Sequence, residues 1–235
     1  RSAASGNLDE FRSTLARSLG FVFLLTAPSS VGLAILGRSM IGAIYQGGRF
    51  DAYDTRQTAA ALTCYALGLA GYAAIKVLAP AFYALGDSRT PTLVSLASIA
   101  INYALVAALV GKAGFGHRGL ALSTAGVAVS GCAALLVLLR RRLAGIHGRD
   151  LASSAARIAA ASAVMGGAIW ASSHAIGLVL GAGRAAALAD AAVSIPLGAV
   201  VFTLAGRLLR IAELDLALQT LPRRIRSLVE RVLPC

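Results

Sequence analysis

The chain has 235 residues, 57% of them hydrophobic and 14% charged, with a mean hydropathy of +0.75; a water-soluble domain carries about 25% charged residues, so this composition excludes one. The formal net charge of +12 invites a nucleic-acid partner, but the basic residues lie in the gaps between long apolar runs, and that partner is excluded. Cys64, Cys132 and Cys235 form no C-x-x-C pair, which leaves neither a disulfide framework nor a metal motif.

Six apolar runs are long enough to cross a hydrocarbon core of about 30 Å as helices, which takes roughly 20 residues each. They cover residues 15–37, 57–85, 91–110, 119–139, 153–175 and 185–208. None alternates in polarity as a barrel strand does, and in lipid only helices and closed barrels satisfy their own backbone. The expected fold is an all-α, polytopic membrane helix bundle with six transmembrane helices.

Residues 1–14 form a polar lead-in whose helical pattern runs into the first span. Residues 15–142 hold four spans, residues 143–152 a linker, residues 153–208 a final pair of spans, and residues 209–235 a basic, amphipathic tail. The chain starts at Arg1, and the first span lacks the small-residue cleavage site of a signal peptide, so a longer protein is expected. Pro28, followed by Ser29 and Ser30, predicts a kink in the first span. The loop at 38–56 has a glycine turn flanked by Tyr45, Phe50 and Tyr53, which suit a membrane interface.

The second span measures roughly 44 Å as a helix, so it tilts, bends or protrudes, and Pro80 offers the bend. It carries Lys76, and a turn at 87–91 follows, with Pro91 placed to open the third helix. The third span carries Asn102. In the fourth, Gly126 and Ser130 have the spacing of a close helix contact. The last pair is alanine-rich, with Gly166 and Gly167 in one span and Pro196 in the other.

Orientation follows from arginine. With the N-terminus inside, fifteen of the 22 lysines and arginines fall on the cytoplasmic side and six outside, and Lys76 is left inside a span. The positive-inside rule therefore predicts that both termini are cytoplasmic. The clusters Arg140–Arg142 and Arg223, Arg224 and Arg226 are expected to set topology and to touch anionic membrane lipids.

Lys76 has two readings: a cation facing a polar cavity that receives an anionic headgroup, or a lysine snorkelling to the interface some 13 Å away. Asp190, early in the last span, reads as a structural carboxylate within reach of the outer interface. The three histidines are isolated, and no nucleophile motif or phosphate loop is present; no enzymatic activity, metal or cofactor is expected.

The run KVLAPAFYALGDSRTP, residues 76–91, resembles the signature of the MurJ/MviN lipid II flippases, in which a lysine-bearing helix ends at AFYA and a D-x-(R/K)-T-P turn follows. SAASGNLDEFRSTLARSL, APSSVGLAIL, IYQGGRFDAYDT and HRGLALSTA resemble further family segments, so the likeness covers roughly residues 1–142. The last 90 residues match only in layout. The resemblance implies the last six of fourteen helices: four from the second lobe of a MATE-like fold, then a pair forming a groove for a lipid tail. It implies transport of an undecaprenyl-pyrophosphate-linked peptidoglycan precursor (lipid II) across the bacterial cytoplasmic membrane by alternating access, with the missing N-terminal lobe required. Lys76 and Asn102 would then bind substrate, and Gly166, Gly167 and Pro196 would shape the groove. Some relatives hold a sodium ion using an acid one turn after the asparagine, where this chain has Val106. Two alternatives stay open: a related polyprenyl-glycan or MATE-type exporter, and a non-transporting membrane scaffold.

Overall fold

The computed structural model describes residues 8–143, 148–181 and 183–220. It is an all-α bundle with six helices of membrane-spanning length and hydropathy. These are α1 (Leu8–Tyr45), α2 (Ala52–Ala84), α3 (Arg89–Val106, continued by a π-helical turn over Ala107–Lys112), α4 (Gly116–Arg142), α5 (Gly148–Leu180) and α6 (Arg184–Leu208). A short α7 (Ala212–Thr220) closes the described chain. Arg223, Arg224 and Arg226, expected to meet anionic lipid, lie outside the described residues.

Helix α1 is the common neighbour of α2, α5 and α6. Its 38 residues make a rod of about 57 Å, well beyond a hydrocarbon core. Pro28 lies inside it and withholds one backbone donor; the adjacent hydroxyls turn inward, Ser29 donating to the Leu25 carbonyl and Thr26 to that of Val22, each at 2.7 Å. Helix α2 starts at a reciprocal cap: the Asp51 carboxylate accepts the amides of Tyr53 and Asp54, and Asp54 accepts the amide of Asp51.

Two apolar clusters hold the bundle. One joins Leu15 and Leu19 of α1 to Leu78 and Phe82 of α2 and Leu135 and Leu139 of α4. The other joins Leu24 and Leu36 of α1 to Ile158, Met165 and Ile169 of α5, Phe202 of α6, and Ile211 and Leu214 near α7. Lipid tails are as apolar as these side chains, so close packing supplies the association where water exclusion cannot. Small residues make it possible. A Cβ at Gly68 would stand 2.6 Å from the Ala125 Cα, and one at Gly71 2.9 Å from the Ala128 carbonyl oxygen, so α2 and α4 touch backbone to backbone. Gly126 instead receives Leu105 of α3.

Helix α3 packs mainly on α4, and only Pro91 is buried within it. After α6 the chain reverses at Arg210, the one non-glycine residue with positive φ (51°) among the described residues, and its carbonyl accepts the Arg157 guanidinium of α5 at 3.1 Å. The turn brings α7 under the bundle, where the Ser154 hydroxyl donates to Glu213 at 2.6 Å.

Valine at Gly68 or Gly71 must force α2 from α4, at a cost of about 1–3 kcal/mol. Thermal unfolding of the purified protein should show a lower midpoint for either variant. Gly32→Ala, whose Cβ meets nothing within 4 Å, should leave it unchanged or slightly raised.

Candidate functional site

Helix periodicity sets one face of α2 apart. Tyr65, Tyr72, Lys76 and Tyr83 follow at spacings of seven, four and seven, which superimposes them along one stripe. All four are exposed in this chain; Tyr65, Tyr72 and Tyr83 retain 49%, 59% and 55% of their surface. The Lys76 ammonium stands 5.1 Å from the centre of the Tyr72 ring, within cation–π range. No carboxylate among the described residues lies within ion-pair reach of it. Asn102 of α3 is half-buried and forms no hydrogen bond with a described residue. No hydrogen bond joins it to Lys76.

The three residues expected in a groove are placed differently from one another. Gly167 and Pro196 lie on exposed faces of α5 and α6. Gly166 is buried, and a Cβ there would come 2.7 Å from Val31 of α1, so it sets how closely α5 approaches α1. The tightest glycine between α5 and α6 is Gly198, where a Cβ would meet Ile169 at 2.6 Å.

Two carboxylates organise polar contacts that the sequence does not announce. Asp87, in the turn between α2 and α3, accepts the Thr90 hydroxyl at 2.7 Å and the Thr90 amide at 3.0 Å, and pairs with Arg142 at the end of α4. The Thr90 hydroxyl and amide, favouring the ionised form, hold its carboxyl below the usual aspartate value, aided by the Arg142 charge and opposed by partial burial. The D-x-R-T-P turn is thus a staple joining the start of α3 to the end of α4. Arg12 of α1 reaches the Leu143 carbonyl beside it, so Arg12, Arg89 and Arg142 gather at one end of the bundle.

Asp190 of α6 is 3% exposed and joins three helices: it accepts hydroxyls from Ser39 of α1, Ser173 of α5 at 2.7 Å and Ser194 of its own helix at 2.6 Å. Ser194 in turn lies 3.0 Å from the Ser172 hydroxyl. The sequence signal for this hub was a lone aspartate in a span; its partners come from separate segments.

A family model described as lipid II flippase MurJ matches residues 1–183. A probable lipid II flippase MurJ of Rhizobium tropici is 35% identical over 183 residues, covering 78% of this chain and 34% of the relative. A lipid II flippase MurJ of Burkholderia cenocepacia is 34% identical over 143 residues, covering 59% and 26%. The chain therefore spans about a third or less of the length of these curated relatives. Among solved structures, a lipid II flippase MurJ in an inward closed conformation superimposes with a TM-score of 0.67 at 22% identity, over 88% of this chain and 41% of that one, a likeness of fold.

A carboxyl held low in the native state contributes stability that is complete above the ordinary aspartate range and is lost as pH falls through the lowered value. Asp87→Asn should therefore melt lower than wild type at neutral pH. It should also lack the part of the acid-side loss that this group causes, as read by thermal unfolding from about pH 7 down to pH 3.

Proposed function

The chain belongs to the MurJ family of lipid II flippases, and from that premise we propose that it is the C-terminal portion of a flippase for a polyprenyl-pyrophosphate-linked peptidoglycan precursor. It is a multi-pass bacterial membrane protein. In the proposed arrangement it lies in the cytoplasmic membrane with both termini inside, as the arginine asymmetry favours. Its six helices are the last six of fourteen, and transport by alternating access requires the part of the protein that precedes them. Rocking of one lobe against another around a central site suits two-lobed membrane carriers.

One observation carries the site. Lys76 is a cation in a membrane-spanning helix, exposed in a stripe with three tyrosines and without a carboxylate partner among the described residues. A charge at such a position is costly unless something answers it, and a pyrophosphate does. Lys76 is the substrate-facing cation of this reading, and Asn102 is a second polar contact to the headgroup. Gly167 and Pro196 lie where a lipid tail can reach them; Gly166 acts indirectly, by fixing α5 against α1. Binding of substrate to this surface is non-covalent, and the proposed activity is transport without catalysis. The lysine favours an anionic lipid over the cationic cargo of a drug exporter.

Complementation by the full-length protein in cells depleted of their own lipid II flippase tests the site. Lys76→Ala should lose rescue, because the headgroup contact is a charge-assisted bond worth about tenfold or more in binding; Lys76→Arg should keep part of it. Undiminished rescue by Lys76→Ala would return the lysine to the membrane interface. A photocrosslinker at the end of a polyprenyl tail should label α5 or α6 near Gly167 and Pro196, and labelling confined to other helices would remove the groove from the proposal.

A further inference from the structure

At the end of the bundle that holds the α1–α2 loop, a cavity of about 500 Å³ opens between α1, α2, α5 and α6. It contains two opposite charges that do not meet. Asp190 lies at depth, six residues into α6 or about 9 Å from its start. Arg38, beside Ser39 on α1, is exposed and lines the same space. Arg38 forms no hydrogen bond or ion pair with any described residue, and Asp190 has hydroxyl partners but no cationic one.

The hydroxyls of Ser39, Ser173 and Ser194 fix the Asp190 carboxylate and occupy three of its roughly four acceptor positions. A buried carboxylate without a counter-charge is expensive, and hydroxyl donors offset only part of that cost. A guanidinium at the mouth is suited to a phosphate. The complement of this pair is a dipolar ligand with an N–H-bearing cation at one end and an anion a short chain away.

We propose that this cavity binds the headgroup of an ethanolamine phospholipid, its primary ammonium on Asp190 and its phosphate on Arg38. Exposed Tyr45 and Tyr53 flank the same end of the bundle, at the level where headgroups lie. A sodium ion would answer Asp190 and leave Arg38 alone; an anionic lipid would answer Arg38 and leave Asp190 alone. A choline headgroup has both charges but no N–H for the remaining acceptor position. This inference does not rest on the flippase reading, since it concerns the face opposite the Asp87 turn and needs no transport.

The test is native mass spectrometry of the full-length protein titrated with phosphatidylethanolamine, phosphatidylcholine or phosphatidylglycerol at equal concentration. The ethanolamine lipid should be retained about tenfold over the other two, the size of one charge-assisted hydrogen bond. Asp190→Asn should bring it down to the level of the choline lipid, and Arg38→Gln, which loses a contact to the phosphate the three lipids share, should lower the retention of each. Arg38 is exposed, so its variant decides the matter even where Asp190→Asn disturbs folding. Equal retention of the three lipids, or retention of the ethanolamine lipid unchanged in Arg38→Gln, would overturn the proposal. So would a stabilisation by sodium over potassium that appears without any lipid preference.

Discussion

Helix α1 has to serve two cores at once, and the rest of the bundle is arranged around that constraint. Its first half meets α2 and α4 through Leu15 and Leu19, and further along Leu24 and Leu36 meet α5, α6 and α7. A straight rod of this length presents its faces at a fixed angular progression. Pro28 sits within the second set, between Leu24 and Leu36, with Thr26 and Ser29 hydroxyls on the neighbouring carbonyls. The final helix pair is attached mainly through α1.

Polar side chains fasten the helices at both ends of the bundle, and small residues bring them together in between. At one end Asp87 joins Thr90 and Arg142; at the other Asp190 gathers serines from α1, α5 and α6. Gly68, Gly71 and Gly198 lie along the shared faces and allow backbone approach. In lipid each unsatisfied polar group is costly, so such hubs specify which helices are neighbours as well as holding them.

The six spans were legible in the sequence because about twenty consecutive apolar residues have few other uses in a protein. Their ends were less so. Helix α1 starts at Leu8 and α5 at Gly148, because polar residues such as Asp9, Arg12 and Asp150 continue a helix beyond the hydrocarbon without changing its hydrogen bonding. Neighbour relations were not legible. Gly68 and Gly71 look like any glycines in an apolar run, and only the packed bundle shows them against Ala125 and Ala128. Asp87 was readable as a turn residue, but Arg142 lies 55 positions away. Asp190 was readable as a structural carboxylate, but its partner Ser39 lies 151 positions upstream. Lys76 stood out alone because a charge within a span needs no partner to be conspicuous.

The sparse packing of α3 bears on how this chain can vary over time. Apart from Pro91 its side chains are not buried, and Leu93, Leu96, Ile99 and Tyr103 each keep more than half of their surface. A position that packs against no other helix of this chain is constrained by polarity and bulk more than by shape. The facing positions on α2 and α4 admit almost nothing larger than alanine. Drift in this protein should accordingly be uneven: wide latitude along the outer surface of α3, and near fixity along the glycine and alanine seam one helix away.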